Sequence, residues 1–421
     1  MSIIKNEQVF PQQKMTQYFP NKTGEYCKPT HIIVEGTWEE MGYDLATIGR
    51  DQFGVQLKKY FDPMYGEARR SYMEKHYPEM IEMQKGVFKA FGLPEDNNEY
   101  DGTSLAFDWY DENYDGFDMG SLKTCSNAVL PKEKTDNGST YVSRNYDMSA
   151  LVLWSPLFGK PAPEGAWGHA ERWVVVEFRP ENGPKTIMSG TNELLTPYVD
   201  AINEHGLFVT MLRDPETIGK EAGPSSGGDI AGLANTHILH QLVSTCKTVE
   251  EAKKVLLESR VTQTFLNFHI PIVDREGNAT VFEIDKHSGA YVFTDREEGE
   301  PFFVTNHAVH LHPTPDTYPD TPDIAAHNTY TRQRILRETY KNFEGPLNRE
   351  HATQLMDAVH CAFVDEELAE AGPSERSLQE INADLTKAEI RIRWYLGDKG
   401  PIEGTENDLE DIRSEWVTFG F

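Results

Sequence analysis

Four short segments carry side chains able to do chemistry: TCSNAV (124–129), YVSRNYD (141–147), VTNHAV (304–309) and NTYTRQR (328–334). Cys125 brings a thiol, Arg144 and Asp147 a cation and a carboxylate, Asn306 a neutral amide, and Arg332 or Arg334 a second cation. A thiol of pKa ~8.5 needs a base near neutrality. If the chain is cut after Thr124, the freed α-amine of Cys125, with a pKa of ~7.7–8.0, supplies that base from the nucleophile's own residue. Taken singly, each has a plainer reading. Cys125 is then a small buried apolar residue, Arg144 and Asp147 a surface ion pair at a strand end, and Asn306 a turn former.

The other cysteines, Cys27, Cys246 and Cys361, are far apart and form no CxxC, so neither a disulfide framework nor a zinc site is expected. His307, His310 and His312 form an HxxHxH string. It has no acidic or cysteine partner within the motif and reads as incidental rather than as a metal site.

The elements that must position these residues differ on the two sides of Cys125. Ahead of it, HIIVEG (31–36) reads as a strand. Apolar periodicity predicts a helix from Trp38 to about Phe61 and a second from about Glu67 to Phe91, stopped by Gly92-Leu93-Pro94. Residues 94–120 are acidic and turn-rich and read as a loop. After Cys125, short strands are expected at 140–146, 149–154, 172–178, 206–212, 264–273, 279–284, 289–293 and 302–305. Asn203 opens the tight Asn-Glu-His-Gly turn of a hairpin. Helices are expected at about 230–245, at 248–258 with a Thr248/Glu251 capping box, and at 329–343 and 349–361, with a late strand at 388–396. Arg144 and Asp147 share one predicted strand, where a three-residue offset gives opposite faces unless the strand bends. Strands in runs and helices in groups predict an α+β layered domain. The run 223–228 reads as a flexible connector, with a lid as the alternative.

With 421 residues, 38% hydrophobic and 11% aromatic, the chain has ample material for a packed core. Lys+Arg 40 against Asp+Glu 68 gives a net charge of −28, which repels phosphate backbones and anionic lipids, so neither nucleic acid nor membrane is expected as a partner. The N-terminal residues lack an apolar signal region, so a cytoplasmic protein is expected, with the sequons at Asn21, Asn137 and Asn278 unused.

In order and spacing, the four segments resemble the acyl-coenzyme A:6-aminopenicillanate acyltransferase family and, more distantly, the choloylglycine hydrolases and penicillin V acylases. VEGTWEEMGYDLATIGRD (34–51) resembles the segment that precedes the nucleophile in the acyltransferases. The resemblance implies a four-layer αββα Ntn-hydrolase sandwich of antiparallel sheets. It also implies a precursor that cleaves itself before Cys125, leaving a helical segment 1–124 associated with a catalytic domain 125–421.

It further implies that Asp147 holds the α-amine of Cys125, that Arg144 favours the thiolate, and that Asn306 donates to an oxyanion. Loss of such a donor costs ~10²–10³ in rate. Arg332 takes the place of a downstream catalytic arginine, with Arg334 as the alternative. The second oxyanion asparagine of the choloylglycine hydrolases has no counterpart, its place falling near Leu212-Arg213. Thr124 stands where the acyltransferase has glycine, and its β-branch restricts the strained backbone that an N→S acyl shift favours.

The expected activity is hydrolysis of a small-molecule acyl amide through a thioester at Cys125, without metal or organic cofactor. Acyl transfer from an acyl thioester or amide to an amine, an unprocessed ligand-binding homologue, and a purely self-processing peptidase are the alternatives. Trp154, Trp167, Trp173 and Tyr198 read equally as an aromatic acyl pocket or as core. A homo-oligomer is compatible with the sequence.

Overall fold

A computed structural model describes residues 15–17, 26–107, 123–150, 170–191, 193–197, 199–214, 231–262, 268–319, 328–363, 375–405 and 408–421. The N-terminal part runs β1 (Met15–Gln17), β2 (Thr30–Gly36), α1 (Trp38–Ile48), α2 (Pro63–His76) and α3 (Pro78–Ala90). The motif hairpin follows as β3 (Lys123–Leu130) and β4 (Tyr141–Ser149), then β5 (Trp173–Pro180), β6 (Thr186–Thr191), β7 (Val199–Asn203), β8 (Phe208–Thr210) and β9 (Leu212–Arg213). Next come β10 (Leu233–Ala234), α4 (Asn235–Thr245), α5 (Val249–Glu258), β11 (Val261–Thr262), β12 (Phe268–Val273), β13 (Ala279–Ile284), β14 (Tyr291–Asp295) and β15 (Phe302–Val304). The chain ends with α6 (Thr329–Lys341), α7 (Arg349–Asp357), β16 (Ala362–Phe363), β17 (Glu375–Asp384), β18 (Glu389–Pro401), β19 (Leu409–Arg413) and β20 (Val417–Gly420).

Two large sheets form. One of ten strands runs β1-β2-β5-β6-β7-β8-β12-β13-β14, with β9 on β12; one of eight runs β15-β3-β4-β17-β18-β19, with β16 on β17 and β20 on β18. Their inner faces meet: Tyr146 stacks edge-on against Trp173 at 5.4 Å, and Ser189 hydrogen-bonds Gln379 at 2.5 Å. Outside the first sheet, α4 packs through His240 against Phe178 of β5. Outside the second lie α6 and α7, where Leu336, Leu355 and Met356 form a smaller apolar cluster with Ala128, Leu130 and Phe303. This is the expected αββα order. Among the described residues the two large sheets depart from antiparallel pairing where β2 runs parallel to β5 from Thr30–Val174 to Gly36–Pro180, and the short pair β10–β11 is parallel as well.

The N-terminal segment is therefore more than a helical cover. Ile32 and Val34 of β2, with Met41 and Leu45 of α1, belong to the same core as Val174 and Val176 of β5.

Both N-terminal helices differ from their expected lengths. The first stops at Ile48, where a capping box of Thr37 and Glu40 has started it. A π-helical turn, Gly49–Phe53, follows, and Gly54 at φ +71° closes it, so Val55 and Leu57 are not helical. The second is two helices, because Pro78 lacks the N–H that would continue α2 and holds Tyr77 at φ −151°, ψ 66°. Helix α5 keeps Thr248 as its cap, though Glu251 receives Lys247 N–H rather than closing a box. Helix α7 ends at Asp357, short of the expected 361, and the late strand β18 runs on to Pro401. The expected connector at 223–228, the end of the strand at 149–154, and Trp154, Trp167 and Tyr198 lie outside the described residues.

Candidate active site

Cys125 sits on β3 opposite Tyr146 of β4, on the face turned to the ten-stranded sheet, and is 4% exposed. On that face Arg144 Nη2 lies 3.4 Å from Cys125 Sγ and also donates to Met211 O at 3.1 Å. Arg144 Nε pairs with Asp200 Oδ1 at 3.1 Å, and both side chains are fully buried. Asp147 is on the other face, as strand alternation requires. Its neighbour-but-one Asn145 donates to Met356 O of α7, and Asp147 Oδ1 accepts from Ser377 Oγ at 2.5 Å.

Asn306 and Arg332 grip the backbone of Cys125. Asn306 Oδ1 accepts the Cys125 N–H at 2.7 Å and Arg332 Nη2 at 2.7 Å, while Asn306 Nδ2 donates to Arg213 O at 2.8 Å. Arg332 Nη1 donates to Cys125 O and to Ser126 Oγ, the latter at 2.9 Å. Both residues depend on Thr329 at the start of α6. Its hydroxyl accepts Asn306 N–H at 2.8 Å, and one helical turn later Arg332 faces the same place. Arg334, two residues on, is turned away by the helix phase and lies over the Tyr318 ring at 5.1 Å.

Electrostatics in the intact chain favour a neutral sulfur. Burial pushes the Cys125 thiol up, outweighing the downward pull of Arg144 and Arg332, and Asp147 adds to the rise. The resemblance implies that Arg144 favours thiolate; here its charge acts in that direction but does not win. Burial likewise raises Asp147, against Arg332 and the Ser377 hydrogen bond. It pushes Asp200 up to about 6, against Arg144, Thr210 and Gln379.

A small cavity opens beside the sulfur, lined by Cys125, Tyr146, Asp147, Val199, Met211, Arg213 and Phe268. Trp173 is absent from this lining and lies between the sheets, its Nε1–H donating to Ser189 Oγ at 2.7 Å. Asn203 does form the expected turn, accepting His205 and Leu207 N–H, and also donates to Val243 O and Cys246 O at the end of α4.

The histidine string does not converge. His307 meets Thr329 Oγ1 and His312 O, and burial holds it down to about 3, while His312 meets Thr317 O. His310 pairs with Glu283 and Asp285 at 2.9 and 3.3 Å. Among the described residues, ligand atoms of Asp214, His269 and Glu283 lie within 4.8 Å of one another. Burial lowers His269, but the Glu283 hydrogen bond and the Asp214 charge outweigh it and raise its pKa. Glu283 also accepts Val309 and His310 N–H. The trio ties β12 and β13 to the Asn306 loop, with His269 Nδ1 3.3 Å from Glu283 and 3.6 Å from Asp214.

The sequence reading passed over Asp200, Thr329 and Ser377. Asp200 left a signal, a charge inside the otherwise apolar run VDAI just before the turn, and Thr329 lies inside the segment NTYTRQR without a role of its own. Among the described residues, no helix is long and apolar enough to cross a membrane.

Comparison with known proteins gives the family. The model for acyl-coenzyme A:6-aminopenicillanic acid acyl-transferase matches residues 133–363, a span that begins after Cys125 and takes in Arg144, Asp147, Asn306 and Arg332. Two variants of conjugated bile acid hydrolase from Clostridium perfringens align over 70% of this chain and 97% of theirs, at 15% and 14% identity, with TM-scores of 0.44 and 0.40. Penicillin V acylase from Agrobacterium tumefaciens aligns over 64% of this chain and 83% of its own, at 14% identity and a TM-score of 0.41. No curated protein sequence matches the chain. On the family match, which covers more than half of its length, the chain belongs to the acyl-coenzyme A:6-aminopenicillanic acid acyl-transferase family.

Proposed function

We propose that this protein is an Ntn-type cysteine enzyme that cleaves linear acyl-amide bonds, with Cys125 as nucleophile after self-cleavage between Thr124 and Cys125. The observation that carries the reading is the grip on one residue. The sulfur of Cys125 meets Arg144, its N–H meets Asn306 and its carbonyl meets Arg332. In self-cleavage the thiol attacks the Thr124 carbonyl, the peptide nitrogen takes the proton, and water hydrolyses the resulting thioester, leaving an α-amine on Cys125.

That amine, held by Asp147, then accepts the thiol proton as the sulfur attacks a substrate amide, and passes it to the departing amine. The second Nδ2 hydrogen of Asn306 is the proposed donor to the developing oxyanion, and water releases the acid from the Cys125 thioester. The acyl group occupies the cavity between Tyr146, Val199, Met211 and Phe268.

Denaturing intact mass of freshly purified protein, beside Cys125→Ala, is the test. Fragments split after Thr124 in the wild type alone support the reading. One full-length species in both sinks it. The family's own description favours a second reading, in which an amine rather than water intercepts the thioester. Adding an amine acceptor and measuring amide against free acid separates the two.

A further inference from the structure

Asp200 has no part in the mechanism just given, yet it is built into the site. Its Oδ1 accepts Thr210 Oγ1 at 2.6 Å and pairs with Arg144 Nε, and its Oδ2 accepts Gln379 Nε2 at 2.8 Å. Gln379 Oε1 in turn accepts the Ser189 hydroxyl, which accepts Trp173 Nε1–H. Both carboxylate oxygens are thus held by donors from the two sheets, so Asp200 cannot turn from Arg144.

At another nitrogen of the same guanidinium lies Cys125 Sγ, 3.4 Å from Nη2. One buried cation therefore stands between a carboxylate and the proposed nucleophile. In a desolvated site, whatever neutralises that cation weakens its pull on a thiolate.

We infer that Asp200 is a positioning residue that, by pairing with Arg144, sets how much of the guanidinium's charge reaches Cys125 and so the pH at which the thiol ionises. The inference rests on Cys125 being the nucleophile. Around Cys125 lie Tyr146 of β4 and Arg213 of β9, and the charges of Asp147 and Arg332 also act on its thiol. Asp200 itself faces Arg144, Thr210, Gln379 and, through Gln379, Ser189. Among these, Arg144 is the charge that links Asp200 to the sulfur.

The test is a double-mutant cycle on the protein as purified. The rate of iodoacetamide modification at Cys125 is followed from pH 5 to 10 by peptide mass spectrometry, in wild type, Asp200→Asn, Arg144→Met and the double variant. Asparagine keeps the acceptor for Thr210 and Arg144 Nε and removes the charge, and because its Nδ2 stands where Oδ2 accepted Gln379 Nε2, the Gln379 amide must turn over to match it. A cation this close to an acidic group lowers its pKa by about 1–3 units, so releasing Arg144 from its carboxylate is expected to move the midpoint by about one pH unit.

Asp200→Asn is expected to lower the midpoint by that amount, giving about tenfold more thiolate at pH 7. Arg144→Met should raise it, and adding Asp200→Asn to Arg144→Met should change nothing further. A reactive wild type with an unmoved or raised midpoint in Asp200→Asn overturns the inference alone. A Cys125 inert at every pH removes the nucleophile reading and the inference with it. If Asp200→Asn does not fold, Arg144→Met against the double variant carries the test. Neither has the buried cation, and a lower midpoint in the double variant would show Asp200 acting directly on the sulfur and refute it.

Discussion

Replacing Arg332 and Arg334 separately with methionine tests whether the site is held from α6 in the way its geometry implies. Arg332 is 7% exposed and donates to Cys125 O, Ser126 Oγ and Asn306 Oδ1. Hydrogen bonds made by a charged group contribute ~1.5–3 kcal/mol each, and truncation also leaves buried acceptors unmatched. Asn306 Oδ1 keeps the Cys125 N–H, so its loss is partial, whereas Cys125 O loses a charged donor. Arg332→Met should therefore cost about 3–5 kcal/mol. Arg334 is exposed and, among the described residues, lies over the Tyr318 ring, an arrangement contributing ~0.5–1 kcal/mol. Urea unfolding followed by tryptophan fluorescence gives both values, and intact mass on the same samples reads cleavage after Thr124. The expected result is a large loss of stability and of cleavage in Arg332→Met, with Arg334→Met close to wild type. Equal losses, or a larger one in Arg334→Met, would refute the argument that helix phase selects Arg332.

Other outcomes follow from single features. At Gly206, φ is +80° and an added Cβ would lie 2.1 Å from Leu385 O, so Gly206→Ala should cost at least ~2 kcal/mol in urea unfolding. Gly92→Ala, at φ +69° with open space around it, should cost only ~1 kcal/mol, and equal values would count against the clash. Burial alone would raise Glu283, but hydrogen bonds from His269 and His310 hold it down to about 2. A depressed carboxyl contributes stability above its unfolded pKa of ~4.3, and that contribution is lost as pH falls through the folded value. Glu283→Gln should therefore cost about 3–5 kcal/mol at pH 7 and flatten the stability curve between pH ~4 and ~2. An unchanged acid slope would mean the His269 and His310 pairs do not form. If the chain is cut after Thr124, fragments 1–124 and 125–421 should co-elute in native size exclusion and separate only in denaturant, because β2 lies within the shared sheet. Separation without denaturant would contradict that placement.

What was legible in the sequence follows from which interactions are local. The start of α5 could be read from Thr248, and the hairpin turn from Asn203 and Gly206, since both are set by hydrogen bonds a few residues apart. Strand β17 was not anticipated. Its run of Gln379, Glu380, Asn382 and Asp384 looks like a solvated loop, yet all four are buried. Their partners come from afar: Ser189 and Asp200 for Gln379, Arg393 for Glu380, Thr353 for Asn382. Apolar patterning carries no trace of such pairing. The four motif segments showed which side chains belong together, but not that Asn306 would hold the Cys125 N–H with its oxygen. That depends on Thr329, whose hydroxyl looks unremarkable in the sequence.

The parallel pairing of β2 with β5 has one more consequence. In the unbroken chain, β2 reaches its slot beside Val174–Pro180 as an intramolecular event, at a fixed effective concentration. A cut after Thr124 would make any later refolding a second-order reaction between two chains, dependent on dilution and exposed to aggregation. The processed enzyme would then owe its persistence to slow unfolding rather than to a recoverable equilibrium, and maturation would act as a ratchet that the denatured protein cannot turn back.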